Sequence, residues 1–486
     1  MLFNSLSFLL FFPITTFIYF ALPHRFRWVH LLACSCLFYA SFIPGYLLIL
    51  LGVIAIDYLA GLGIEQSSGG LRRAFLVASL LANVGILAAF KYFNFFNGNV
   101  RALAEALHWN YPVRDLGWLL PIGLSFHTFQ SMSYTIEVYL GRQKAERHLG
   151  IYALYVMFYP QLVAGPIERP QHLLHQFREY HAFDADRVFS GLRLMLWGFF
   201  KKLVVADRLA PIVDAVYANP HAYGGGCLLG ATYFFAIQIY CDFSGYSDVA
   251  IGAARVLGFD LMKNFDRPYA AASVAEFWRR WHISLSTWFR DYLYIPLGGS
   301  RVSKARWCFN IMVVFLVSGM WHGSNWTYLA WGGLHGILVI ISRSTEKWRS
   351  RAERLLGLAA VPAVSRIAGI LVTFNLVAIA WIFFRATSVG EAGWILSHLG
   401  SRPWLAYPSY TEFPLGIVPY RPSQIRLALL LILAMWLTEW AASLSGAVER
   451  WLRQPAWVRW PAYYALILCL LLIGDLGTRT FIYFQF

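Results

Sequence analysis

Residues 45–62 read GYLLILLGVIAIDYLAGL. As α-helix, a run of this length rises about 27 Å, close to the ~30 Å of hydrocarbon in a bilayer, so it reads as a membrane crossing. Comparable apolar runs lie near 3–22, 29–43, 74–96, 117–135, 150–165, 189–206, 226–241, 246–260, 308–321, 326–342, 366–384, 426–444 and 462–475. Several are short for a full span. The expectation is therefore an all-α polytopic membrane protein of roughly 11 transmembrane helices with additional re-entrant or interfacial helices.

Composition agrees. The 486 residues are 58% hydrophobic and 13% charged, against roughly 25% charged in a soluble domain. That excludes a cytosolic globular enzyme. No long stretch is free of apolar segments, so residues 1–486 read as a single membrane domain. There is no internal repeat, which argues against a transporter built from matching halves.

Forty Lys and Arg against 25 Asp and Glu give a formal +15. The basic residues sit in short connectors: Arg25 and Arg27, Arg72 and Arg73, Arg142 to Arg147, Lys201 and Lys202, and Arg343 to Arg354. That distribution fits the excess of positive charge in cytoplasmic loops rather than a nucleic-acid face. The first apolar run lacks a basic n-region and a small-residue cleavage site, so it reads as a retained helix. Its basic flank at His24–Arg27 follows the run, which places Met1 on the outer face. The six cysteines, at 34, 36, 227, 241, 308 and 469, have neither ligand spacing nor a disulfide pattern, so no metal site is expected.

Two regions, 142–188 and 261–306, break the apolar pattern with Arg, His, Trp and Tyr. Within the second, Glu276–Leu293 reads EFWRRWHISLSTWFRDYL. Trp278, Trp281, His282, Leu285, Trp288 and Tyr292 fall on one side at helical spacing and the arginines largely on another. This predicts one amphipathic helix with His282 on its apolar face. His282 then either bonds a carbonyl in an interfacial anchor or takes part in chemistry.

Further along, Ser318–Thr327 reads SGMWHGSNWT inside an apolar region. Gly319 and Gly323 permit close backbone approach and room beside His322. An ionisable residue at membrane depth is costly and marks function by default. A neutral imidazole there suits a general base; a helix-packing hydrogen bond is the structural alternative, which His335 also fits.

Other motifs are less specific. Asp242–Asp248 (DFSGYSD) offers two carboxylates and three hydroxyls, either to a polar pocket or as an N-cap through Ser247 or Asp248. Pro160–Pro170 (PQLVAGPIERP) reads as a broken helix with ion pairs from Glu168 or Arg169. Segments 343–365 and 445–461 read as interfacial connectors, and the proline-rich 401–424 as an outer loop. No GxSxG elbow, Walker loop, dinucleotide fingerprint or HExxH is present.

Taken together, Pro121–Tyr134 (PIGLSFHTFQSMSY), Tyr159–Pro170, Tyr240–Asp248, Asn264–Tyr269, Phe277–Gly299 and Ser318–Gly323 resemble the bacterial membrane-bound O-acyltransferases, and within them the alginate O-acetylation branch. They occur in order across 121–323, the motif-bearing core. The resemblance implies a many-helix fold around a central tunnel that admits an acyl thioester from the cytoplasm. It places the principal catalytic histidine at His322 and a second at His282. Tunnel or substrate-binding roles fall to Trp321, Trp278, Trp281, Trp288, Ser318, Asn264, Asp242 and Tyr246. His127 stands where relatives commonly carry Tyr.

Residues 481–486 (FIYFQF) look like the FxYxxF tail of bacterial relatives. In that reading Tyr483 takes the acyl group as a phenolic ester; an aromatic girdle residue is the alternative. The family further implies acetyl-CoA as donor substrate with no bound cofactor, and residence in the bacterial inner membrane among its lipids. It also implies a periplasmic SGNH or esterase-like transferase as partner and a polysaccharide acceptor. D-alanyl transfer from a carrier protein to teichoic acid is the alternative within the family, and a transporter the alternative outside it.

Overall fold

This computed structural model describes residues 1–163, 165–355, 361–402, 422–475, 477, 479, 481 and 482. Every regular element among them is helical, as the apolar periodicity predicts. Six helices are long and apolar enough to cross a bilayer: Tyr46–Gln66, Gly69–Ala106, Gly225–Leu257, Pro362–Arg385, Ser423–Ala442 and Ala456–Ile473. Leu6–Ala21 is a shorter apolar helix. Their outer faces expose large side chains, including Leu48, Leu371, Leu430 and Leu472, which fits lipid rather than water. Other expected runs form shorter or more polar helices, among them Leu124–Tyr139 and Leu149–Met157.

Residues 1–195 with 246–263 pack as one compact unit, and 196–245 with 264–486 as another. The first is organised on Leu124–Tyr139, in which every residue from Leu124 to Thr135 is buried. Gly61 allows this helix to come close, since a Cβ there would stand 2.6 Å from the Tyr134 ring. Asp57 is satisfied by Ser79 Oγ at 2.6 Å and by Asn83 Nδ2 at 2.9 Å from both its oxygens. This meets the rule that a buried carboxylate is hydrogen-bonded. Beyond Met157 the chain leaves the helix, as the prolines of 160–170 predict. Glu168 pairs there with His172 at 2.8 Å and accepts the Met262 N–H at 2.6 Å, while Arg169 donates to Ser133 Oγ at 3.3 Å.

The second unit is built on the helices Lys304–His322 and Trp326–Ser344. Ser303 and Asn325 cap them by accepting the Arg306 and Thr327 N–H groups. Glycine sets their contact: a Cβ on Gly319 would lie 2.3 Å from the Tyr328 carbonyl oxygen, and one on Gly332 2.2 Å from that of Phe315. Gly323, expected to leave room beside His322, instead faces the Tyr328 ring, which a Cβ would meet at 2.1 Å.

Three further sequence expectations are corrected. The runs at 226–241 and 246–260 are one continuous helix, Gly225–Leu257, so Ser247 and Asp248 lie mid-helix and cap nothing. Lys201 and Lys202, read as connector charges, are each only 3% exposed. The amphipathic helix over 276–293 is broken at His282 into Val274–Arg280 and Ile283–Phe289. The proline-rich 403–421 and Tyr483 lie outside the described residues.

Candidate active site

The break at His282 has a local cause. His282 has φ 44° and ψ 57°, the left-handed region, which costs a residue with a Cβ roughly 1–2 kcal/mol. What compensates comes from Asn264. Its backbone carbonyl accepts the Ile283 N–H at 2.8 Å, and its side-chain oxygen lies 3.0 Å from both His282 Nδ1 and Ser284 Oγ. The Ser284 N–H, which can only donate, points at the same oxygen at 3.4 Å. This orients the amide, so His282 Nδ1 carries the proton and Nε2 the lone pair. Backbone strain held in place by its surroundings is a mark of functional sites.

His282 is fully buried and lies outside the six helices long enough to span. Burial holds its pKa down to about 3, so the imidazole is neutral throughout the physiological range. Phe243 meets it edge-on at 4.6 Å, and the Trp321 ring stands 6.0 Å away.

His322 closes its helix and is 2% exposed. It is walled by rings: Trp321 at 4.9 Å, Trp331 at 4.9 Å and Phe384 at 5.4 Å. Trp381 backs Trp331 at 5.6 Å. Trp321 thus neighbours both His322 and His282. An aromatic enclosure of this kind excludes water and sharpens every electrostatic interaction inside it.

A cavity of about 540 Å³ opens in the same unit, lined by Trp278, Phe315, Ser318, Arg279, Arg290 and Arg343 among others. Ser318 is one helical turn before His322 and on its face, so the cavity comes within a turn of the histidine without His322 itself among its lining. Its three guanidiniums suit an anionic ligand.

The remaining predicted residues fall as follows. Trp278 and Ser318 line the cavity, and Trp278 Nε1 donates to His335 Nδ1 at 3.2 Å. Trp281 stacks on Phe277 at 5.4 Å, with Trp381 at 5.1 Å. Trp288 packs on Phe289 and Tyr292. Asp242 forms an ion pair with Lys202 at 2.6 Å. Tyr246 belongs to the first unit, against Phe3 at 5.6 Å.

Sequence reasoning missed Trp331 and Phe384, which wall His322, Trp381 behind Trp331, and Lys202. Only Lys202 left a signal: a charged residue inside the apolar run 189–206 needs a buried partner. The described residues contain no group of three or more His, Cys, Asp or Glu able to hold a metal ion.

Comparison with known proteins gives the family. The profile of the MBOAT, membrane-bound O-acyltransferase family, matches residues 147–384. A Pseudomonas aeruginosa protein named probable alginate O-acetylase AlgI is 40% identical over 395 residues, covering 81% of this chain and 73% of its own length. A Helicobacter pylori peptidoglycan O-acetyltransferase is 35% identical over 391 residues, 74% of this chain and 71% of its own. A Streptococcus thermophilus teichoic acid D-alanyltransferase is 28% identical over 285 residues, 54% of this chain and 68% of its own.

Proposed function

The chain belongs to the membrane-bound O-acyltransferase family, and from that premise we propose that it moves an acetyl group from cytoplasmic acetyl-CoA across the bacterial inner membrane for O-acetylation of an exported or cell-wall polysaccharide. The observation that carries the reading is the pairing of His322, dry behind Trp331 and Phe384, with an arginine-bearing cavity that reaches Ser318 one turn away. Arg279, Arg290 and Arg343 would hold the phosphates of the donor. The thioester end would pass Ser318 toward His322.

In the reaction, His322 takes the proton of an acceptor hydroxyl as its oxygen attacks the thioester carbonyl. The new C–O bond forms, the C–S bond breaks, and the imidazolium returns its proton to the departing thiolate. His282, neutral and fixed by Asn264, assists from beside Trp321. No carboxylate dyad is needed, because a thiolate leaves readily. Tyr483 is the proposed acceptor, forming a phenolic ester that a periplasmic esterase-like transferase then passes to the polysaccharide. Met1 lies on the periplasmic side in this orientation.

D-alanyl transfer from a carrier protein is the second reading, favoured by the likeness to a teichoic acid D-alanyltransferase. Purified chain incubated with acetyl-CoA separates the two. CoA release with acetyl on Tyr483, detected by mass spectrometry, is expected; no CoA release, but acylation from a D-alanyl carrier protein, would overturn the acetyl assignment.

A further inference from the structure

A buried ion cluster in the second unit has a purpose that core packing does not supply. The seven residues Phe200–Ala206 form a π-helical turn, all of them buried; such turns concentrate at functional sites. Lys202 Nζ lies 2.8 Å from Asp207 Oδ1 and 2.6 Å from Asp242 Oδ1. All three side chains are about 4% exposed. Apolar residues often replace such a cluster without loss of stability, so stability alone does not account for it.

A further role is visible at the far oxygen. Asp242 Oδ2 accepts the backbone N–H of Ile482 at 2.7 Å, from 240 residues along the chain. The segment leading there is anchored in steps. The Asp475 N–H donates to the Leu203 carbonyl at 3.0 Å, and Arg479 pairs with Asp475 at 3.1 Å and Asp214 at 3.5 Å. Phe481 is fully buried, 5.4 Å from the Phe243 ring that in turn meets His282 at 4.6 Å. Asp475 is thus held at the π-turn and Phe481 at the aromatic wall of His282.

We propose that Lys202, Asp207 and Asp242 form a socket for Ile482: Asp242 grips the Ile482 amide, Lys202 neutralises Asp242, and Asp207 holds Lys202 in place. These are positioning residues: they hold Ile482 on Asp242 and Phe481 against the Phe243 ring that meets His282. The consequence for acyl transfer rests on the reading of Tyr483 as acceptor; the seating itself does not.

Two variants of the full chain isolate the bond. Ile482→Pro removes the N–H that Asp242 receives, and Ile482→Ala removes comparable side-chain packing but keeps it. Because Ile482 lies outside the transmembrane helices, this pair tests the socket even if Asp242→Ala fails to fold. Tryptic cleavage after Arg479, followed by mass spectrometry in detergent, reports seating. Ile482→Pro and Asp242→Ala should be cut about tenfold or more faster than wild type, the weight of one hydrogen bond to a charged group. Ile482→Ala should stay near the wild-type rate. Ile482→Pro should also lower the turnover of acyl transfer, with the KM for acetyl-CoA unchanged.

Equal protection of the Pro and Ala variants would overturn the socket. Release of the segment by Ile482→Pro, with full transfer in Tyr483→Phe, would uphold the socket and remove Tyr483 as acceptor. Loss of transfer in Tyr483→Phe, with the segment still protected in Ile482→Pro, would do the reverse.

Discussion

Asn264 holds His282 and its turn at two points: the Asn264 side-chain oxygen stands 3.0 Å from His282 Nδ1, and its backbone carbonyl accepts the N–H of Ile283, the residue that follows. One asparagine thus fixes both the tautomer of the imidazole and the turn that presents it. Asn264→Ala should lower acyl transfer by about ten- to a hundredfold, part of the range a general acid–base group supplies. It should also cost about 1–3 kcal/mol of stability through unpaired buried donors. Asn264→Asp, which still accepts from Nδ1–H, should keep most activity. Steady-state kinetics with acetyl-CoA and thermal unfolding in detergent check both, and an Asn264→Ala variant with wild-type turnover would remove the orienting role.

The left-handed backbone of His282 separates shape from chemistry. Glycine adopts φ 44° without the Cβ penalty, so His282→Gly should be more stable than His282→Ala by about 1 kcal/mol. Both should lack His282-dependent transfer. An Ala variant at least as stable as the Gly variant would mean that the turn is unstrained.

The glycines between Lys304–His322 and Trp326–Ser344 set the distance from Trp331 to His322. Gly332→Ala drives a Cβ into the Phe315 carbonyl at 2.2 Å, whereas Gly333→Ala meets only a Leu316 methyl at 3.7 Å. The first should unfold at lower temperature and lose transfer. The second should be neutral or gain up to about 1 kcal/mol from helix propensity. Thermal melts of the two side by side are the check.

His172 links folding to pH. Its hydrogen bond to Glu168 raises its pKa above the ordinary histidine value, so the folded chain holds this proton more tightly than the unfolded one. The stability it contributes is fully present below about pH 6.5 and is lost as pH rises through the raised folded value. His172→Gln should flatten the fall in stability above pH 6.5. An unchanged slope in detergent melts from pH 6 to 9 would exclude the pair as its source.

Much of this was legible in the sequence, and what was not has physical reasons. Apolar runs gave the helical membrane class, and the Ser318–Gly323 and Glu276–Gly299 segments led to two histidines that share Trp321 as neighbour. The break at His282 was hidden because helical spacing continues through it; the force that breaks it comes from Asn264, outside any local window. The single helix Gly225–Leu257 was read as two because Asp242 and its polar neighbours look like an interruption. Their charge is balanced by Lys202, on a segment that read as a connector. The aromatic wall of His322 draws Trp331 and Phe384 from separate helices, a convergence that periodicity does not encode.

The central claim is that His322 is the base of an acyl transfer. The direct measurement is the rate of CoA release from acetyl-CoA by purified chain, comparing His322→Ala with wild type, both eluting as folded protein in detergent. A fall of about a hundredfold or more, the contribution of a positioned general base, is the predicted result. Release within a few-fold of wild type would contradict it.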